Sequence, residues 1–514
     1  MKLSIITKRT TLFLTVALLT LFAFQGGAIA KPEGTLQVAL TSMPNSLDLC
    51  YGADRNASNA GWPLFNSLVM VNDDGVLEPA LAESWTVSDG GKIYSMKLRK
   101  GVKFHNGEDF NADSVIFSWK RGTGKDVTWR KKWDIVKEIE KIDDFTIKLK
   151  LEAPYPLLLR QISYFWNIVP EGYLKEVGED GFIKHPVGTG PFKFVEWKKG
   201  DRLIYEANLN YWEKDKPKVE KLIFRPIEES STRVAAIKTG EIDIVSRLSS
   251  EEAAMLKGVP GVDVIEYPVD RVFYITFNNL TSGKGLPTEN KLVRQAINHA
   301  VDINAIIDSL FNGHGKPTNG FFVPTNLGYD KDLKPFEYNP EKAKKLLKEA
   351  GYPDGFSIEL AAPTGAYSQF EQVCEAIQGF LGEVGIKVKL TLMESGKYWD
   401  LEAKKELPPM FGDSWSCREG EPLERLEGTL GGFKQSYSVW QDPKIDELLA
   451  KVATLPDENE RATLYVELQR YMQENPPFIY LYQPMTFEAV SSKVKNYRPR
   501  AAEDYYLKDV SKEK

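Results

Sequence analysis

Cysteine and histidine are scarce in this chain of 514 residues, which holds three of the first and four of the second. Three cysteines allow at most one internal disulfide. Cys374 and Cys417, both in the later half, are the couple to consider. Cys374 also reads as a small buried apolar residue on a helical stretch from 369 to 383. No C-x-x-C occurs, and none of His105, His185, His299 and His314 lies at ligand spacing from another His or Cys, so no metal residues are assigned. The G-x-S-x-G elbow, the phosphate loop and the H-E-x-x-H helix are missing too. No catalytic residue and no cofactor follow from the sequence, and the chain is not read as an enzyme. Nor is there a basic excess. With 66 Lys and Arg against 72 Asp and Glu, the formal charge is −6, which argues against a nucleic-acid partner. No repeat recurs at a fixed period.

Apolar residues at 42% and charged residues at 27% describe a soluble globular protein. The length calls for two or three domains. One hydrophobic run stands out: Thr11 to Phe24, preceded by Lys2, Lys8 and Arg9 and followed by Ala28-Ile29-Ala30. A basic start, a short apolar middle and an A-x-A end make residues 1–30 an expected cleaved export signal, addressed to the periplasm. The first cysteine is Cys50, so no lipid-anchored form is expected.

The middle of the chain is the most regular part. Gly188-Thr189-Gly190-Pro191 spells a tight turn. Phe192, Phe194 and Trp197 then mark a strand, and Lys198 to Asp201 the turn of a hairpin. A short helix over 231–239 stops at Gly240, and a strand follows to Val245. The glycine pair lacks the third glycine of a dinucleotide fingerprint and opens a strand, so it is read as structural. Upstream, Asn111 with Ser114 marks a helix start. Downstream, helical periodicity runs over 290–310, and Asn339–Gly351 is a proline-started, glycine-stopped helix. A strand over 356–361, a helix to Glu383 and a strand over 386–393 predict a parallel pair with a right-handed crossover. Pro443–Ala453 and Asn459–Glu474 are amphipathic helices, and Phe478–Tyr482 is an apolar strand. The overall class is α/β with mixed sheets.

Several of these blocks together resemble one family. Glu78–Trp85 (EPALAESW), Leu98–Gly107 (LRKGVKFHNG), Ala112–Trp119 (ADSVIFSW) and Val187–Val245 stand in the order and spacing of the solute-binding proteins of the dipeptide/oligopeptide/nickel ABC-importer family, family 5 of the bacterial extracellular binding proteins. The resemblance spans nearly all of the chain after residue 30. It implies a two-lobed periplasmic-binding-protein fold with an extra inserted subdomain in the first lobe. Residues 31–60 and 186–275 would build that lobe around an insertion over 61–185. A second lobe would cover 276–482, with 483–514 returning to the first. It also implies capture of a small solute by hinge closure and delivery to permease subunits in the inner membrane, by a monomer.

For the ligand, the polar-aromatic stretch Met410–Trp440 is read as a long functional loop. Trp415 and Trp440 are its candidate aromatics, and Asp413, Arg418, Glu419 and Glu421 its candidate charges. Tyr51 and Trp62 are candidates from the opposite wall. The resemblance places Arg418 where peptide-binding members carry the aspartate that pairs with the peptide's α-ammonium, and a guanidinium there repels an ammonium. Trp415 with Gly420-Glu421 fits a second subclass of less uniform ligands. A short peptide or similar small polar solute is expected. An opine, a sugar or a sugar phosphate is the alternative, and a nickel chelate, a sensor role or a secreted hydrolase lies further off.

Overall fold

In a computed structural model of the protein, the residues described are 31–52, 55–417, 420–435 and 437–514; the expected export signal lies outside them. Two large sheets organise the chain. The first has eight strands, and its central order is Val262–Pro268, Tyr482–Ser491, Ile244–Leu248, Thr35–Leu40, Lys221–Pro226, Arg202–Ala207 and Phe192–Lys198. Thr35–Leu40 runs parallel to both of its neighbours, and the other pairings along this order are antiparallel. The second sheet has five strands in the order Ile386–Glu394, Phe356–Thr364, Met410–Ser416, Arg271–Phe277 and Phe478–Tyr480. Phe356–Thr364 is parallel to Ile386–Glu394, as the strand-helix-strand order predicts. A separate antiparallel sheet of four strands lies between Ala82 and Leu151. This is the two-lobed mixed α/β architecture with an added sheet beside the first lobe.

Local sequence explains most element ends. Asn111 accepts from the Asp113 and Ser114 amides at 2.9 and 3.3 Å, and Ser114 Oγ accepts in return from the Asn111 amide, closing a capping box. Gly240 ends its helix at φ +74°. The periodic stretch over 290–310 is two helices, Lys291–Ala300 and Ile303–Phe311. The break falls where the Asp302 carboxylate accepts from the Ala305 amide at 2.9 Å, so a new N-cap outcompetes continuation.

The glycines of the Gly188–Pro191 turn are needed for closeness, not for left-handed backbone. A Cβ on Gly188 would sit 2.1 Å from Leu64 O, and one on Gly190 2.4 Å from Pro63 O. The Gly190 amide donates to Leu64 O at 2.9 Å and the Phe192 amide to Pro63 O at 3.0 Å. His105 clamps the same turn. Its Nδ1 accepts from the Gly188 amide at 3.3 Å, so Nε2 carries the proton and donates to Gly190 O at 3.0 Å. Burial pushes this imidazole down to about 4, which keeps the ring neutral and the clamp intact.

Met410–Trp440 departs from the expected loop. It holds the strand Met410–Ser416 and the helix Leu423–Leu430, whose Leu423, Leu426 and Leu430 are buried. Its few aliphatics recur three and four residues apart, enough to bury one helix face. Cys50, Cys374 and Cys417 are buried and in no disulfide, so the Cys374–Cys417 couple is not formed. Cys374 sits in the second-lobe core, and Cys417 Sγ donates to Glu421 O at 2.9 Å. Among the described residues no helix is long and apolar enough to cross a membrane.

Candidate functional site

The chain crosses between the two sheets twice, and both passages are short. Val269 and Asp270 separate Val262–Pro268 from Arg271–Phe277, and Leu481 alone separates Phe478–Tyr480 from Tyr482–Ser491. The passages brace each other. The Val269 amide donates to Pro484 O at 3.0 Å, and Gln483 Nε2 donates to Val269 O at 2.9 Å. Two adjacent strands with few residues between sheets are the geometry of a hinge.

Beside this hinge lies a cavity of about 710 Å³ with walls from both lobes. Arg247, Glu251 and Glu503 come from the first lobe, His314 and Tyr367 from the second, and Arg271 from the hinge strand. Phe273 and Tyr482, also in the lining, stack with ring centroids 4.8 Å apart. Arg271 Nη1 donates to Ser414 Oγ at 2.5 Å, and its guanidinium lies 5.8 Å from the Tyr367 ring centroid. Across the cavity, Glu503 pairs with Arg247 Nε at 3.1 Å and with Arg55 at 3.6 Å. Arg247 and Glu503 are both held at positive φ, +56° and +55°. A left-handed arginine facing a left-handed glutamate is backbone strain retained at the cavity wall. His314 Nδ1 meets Glu266 at 2.8 Å.

The residues singled out from the sequence scatter around this cavity. Asp413 is buried on the second-lobe strand, where Tyr367 Oη donates to it at 2.8 Å and the Ser414 amide at 2.6 Å. Burial pushes its carboxyl up, and burial together with Asp413 pushes Glu402 further up. The pair holds a shared proton, because two neighbouring carboxylates in a dry site cannot both ionise. In the strand register, Trp415 lies opposite Val272, one step out of phase with Arg271 and Phe273. The pleat therefore turns it away from the cavity, and it packs over Gly428 with Tyr437 at 6.0 Å.

Glu421 is buried and gripped by Arg461, with Nε at 2.6 Å and Nη2 at 2.8 Å, and by Tyr465 Oη at 3.0 Å. Trp440 is in the second-lobe core with the Arg294 guanidinium 4.6 Å from its ring. Tyr51 lies under Arg121 at 5.5 Å. Trp62 lines a separate small cavity of about 80 Å³ in the first lobe, with Tyr164 and Tyr506 at 5.5 and 5.8 Å. Arg418 and Glu419 lie outside the described residues. None of the described candidates is in the lining of the cavity at the hinge.

Sequence reasoning passed over Arg271, Tyr367, Arg247 and Glu503. One signal was available. Arg271 is the one charged residue of the crossover strand Arg271–Phe277 and stands at its start. Among the described residues no cluster of three metal-ligating side chains occurs.

Two lobes, a two-strand hinge and a mixed aromatic and charged cavity define a solute-binding protein of the periplasmic-binding class. The chain belongs to the bacterial extracellular solute-binding proteins, family 5, whose model matches residues 76–437. It is 30% identical over 535 aligned residues to heme-binding protein A of Haemophilus influenzae, covering 95% of this chain and 96% of that one. It is 31% identical to the glutathione-binding protein GsiB of Pectobacterium atrosepticum, covering 90% of each. Among solved structures, HbpA2 of Haemophilus parasuis superposes with a TM-score of 0.87 at 29% identity, over 93% of this chain and 100% of that one. The DppA protein of Helicobacter pylori in complex with the peptide STSA gives 0.72 at 29% identity, over 94% and 99%. Proteins of this family bind solutes for ABC importers.

Proposed function

We infer that the protein captures a short peptide or a similar small polar solute in the periplasm and hands it to its permease as a monomer, without covalent chemistry. One observation carries this reading: a cavity that takes walls from both lobes sits at the hinge and carries both aromatic and charged groups. Rings supply contact area at low entropic cost, and charges fix the orientation of a polar guest. Rotation about the two short passages brings Arg247 and Glu503 toward Arg271 and Tyr367, enclosing the guest. Likeness to a peptide-bound DppA and a glutathione-binding GsiB supports a peptide ligand. Export to the periplasm rests on residues 1–30 and on the family. A thermal-shift screen of di- to pentapeptides on the mature protein tests the reading. Stabilisation growing with ligand concentration, about 2.7 kcal/mol at a hundredfold excess over Kd, is the expected result. Flat melting curves across all peptides count against a peptide ligand.

A further inference from the structure

The lobe-facing charges are not equivalent once their partners are counted. Acids on the cavity wall are spoken for. Glu503 faces two guanidinium groups, Arg247 and Arg55, and Glu251 accepts from Asn312 Nδ2 of the other lobe at 3.2 Å. Asp413 and Glu421, two acids of the strand-helix segment beside the hinge, are withdrawn into the interior: Asp413 into its pairing with Glu402 and Tyr367, Glu421 into its pairing with Arg461.

Arg271 is the exception. Among the described residues its polar side-chain partner is a neutral hydroxyl, Ser414 Oγ, and its guanidinium carbon lies over the Tyr367 ring, 5.8 Å from the centroid. Asp413 feels its charge only from beyond ion-pair distance. A guanidinium has five N–H donors in a planar fork, and one hydroxyl and one ring leave most of them unused. That fork matches a carboxylate, to which it donates two parallel bonds. The hydrogen bond to Ser414 and the nearby Tyr367 ring restrict the side chain, so less rotamer freedom is left to lose when an anion arrives. The position is also mechanically suited. Arg271 opens the hinge strand itself, so it keeps its place while the lobes move.

We propose that Arg271 is the residue that receives the ligand's carboxylate, and that the cavity therefore selects small solutes carrying a free carboxylate over their neutral counterparts. This deepens the proposed function and rests on it.

The experiment uses the mature chain and matched acid and neutral probes: tri-alanine against tri-alanine amide, and glucuronic acid against glucose. Affinities are read by calorimetry and thermal shift. The expected result is that the acid of whichever pair binds is held at least tenfold tighter than its neutral counterpart. In Arg271→Gln, which retains a polar group beside Ser414, that ratio falls to within threefold; Arg271→Lys keeps part of it. Melting of the unliganded variants separates loss of folding from loss of discrimination, and should Arg271→Gln fail to fold, the wild-type ratio and the lysine variant still decide. Binding of acid and neutral forms with equal affinity, or an unchanged ratio in Arg271→Gln, overturns the arginine assignment and leaves the binding-protein reading standing. A screen in which neither pair binds counts against both.

Discussion

Glu421 and Arg461 form a two-point ion pair, with Oε1 to Nε at 2.6 Å and Oε2 to Nη2 at 2.8 Å, and both side chains are buried. Tyr465 donates to the same carboxylate, and Arg160, from the helix Leu158–Phe165, approaches it at 3.7 Å. Replacing Glu421 with Gln removes the two-point partner of the buried Arg461 charge and leaves it only the more distant Glu458 carboxylate at 3.8 Å. Breaking a buried pair from one side costs about 3–5 kcal/mol. Urea unfolding of Glu421→Gln is expected to show a loss of that order, while peptide affinity of the folded fraction stays within a few-fold of wild type. A large affinity loss at unchanged stability would return Glu421 to the binding site.

Stability should fall as the medium turns alkaline. Burial raises the Glu402 and Asp413 carboxyls as a pair, and Glu488, buried between Tyr267 and Tyr497, is pushed up to about 7. A raised carboxyl means that the native state binds more protons than the unfolded one. The slope of unfolding free energy with pH is then negative. The contribution is full below the ordinary carboxylate range and is lost as pH rises through about 7 and beyond. Urea midpoints at pH 5 and pH 8 measure it, and Glu402→Gln, which needs no proton, is expected to flatten the slope.

Gly190→Ala tests the turn. Its new methyl would meet the Pro63 carbonyl at 2.4 Å and the Leu64 backbone at the same distance, and a backbone held by two hydrogen bonds yields less than a side chain. Overpacking costs about 1–3 kcal/mol, and the upper end is expected in urea titration. An alanine at Gly101, whose surroundings are open but whose φ is +75°, is the control for backbone strain alone.

Thiol titration gives a further check. With all three cysteines buried and outside any disulfide, and with burial pushing the Cys50 and Cys374 thiols well up, the native protein is expected to be inert to Ellman's reagent. In denaturant without reductant all three thiols of the mature chain should react. A count of one would mean that a disulfide had formed.

Much of the architecture was legible because it is written locally. Asn111 with Ser114, Gly240 after its helix, and the strand-helix-strand order of 356–394 each settle their structure within a few residues. The long helical period over 290–310 misled because periodicity sees the apolar face, which continues, and not the Asp302 cap, which interrupts it. Met410–Trp440 misled for the opposite reason: its composition is polar, and the polar groups are buried in pairs.

The α/β class, the turn and the caps were therefore determined by sequence alone, since backbone conformation and hydrophobic period act over short range. The identity of the site was decided only by tertiary structure. Asp413, Glu421 and Arg271 are three charged side chains, and nothing in their neighbourhoods along the chain says which will be neutralised. Arg461 comes from 40 residues away to take Glu421. Ser414 comes from 143 residues away to meet Arg271, and it brings no charge. Burial forces each charge to find its partner through space, so which of them remains available to a ligand depends on contacts that exist only in the folded chain.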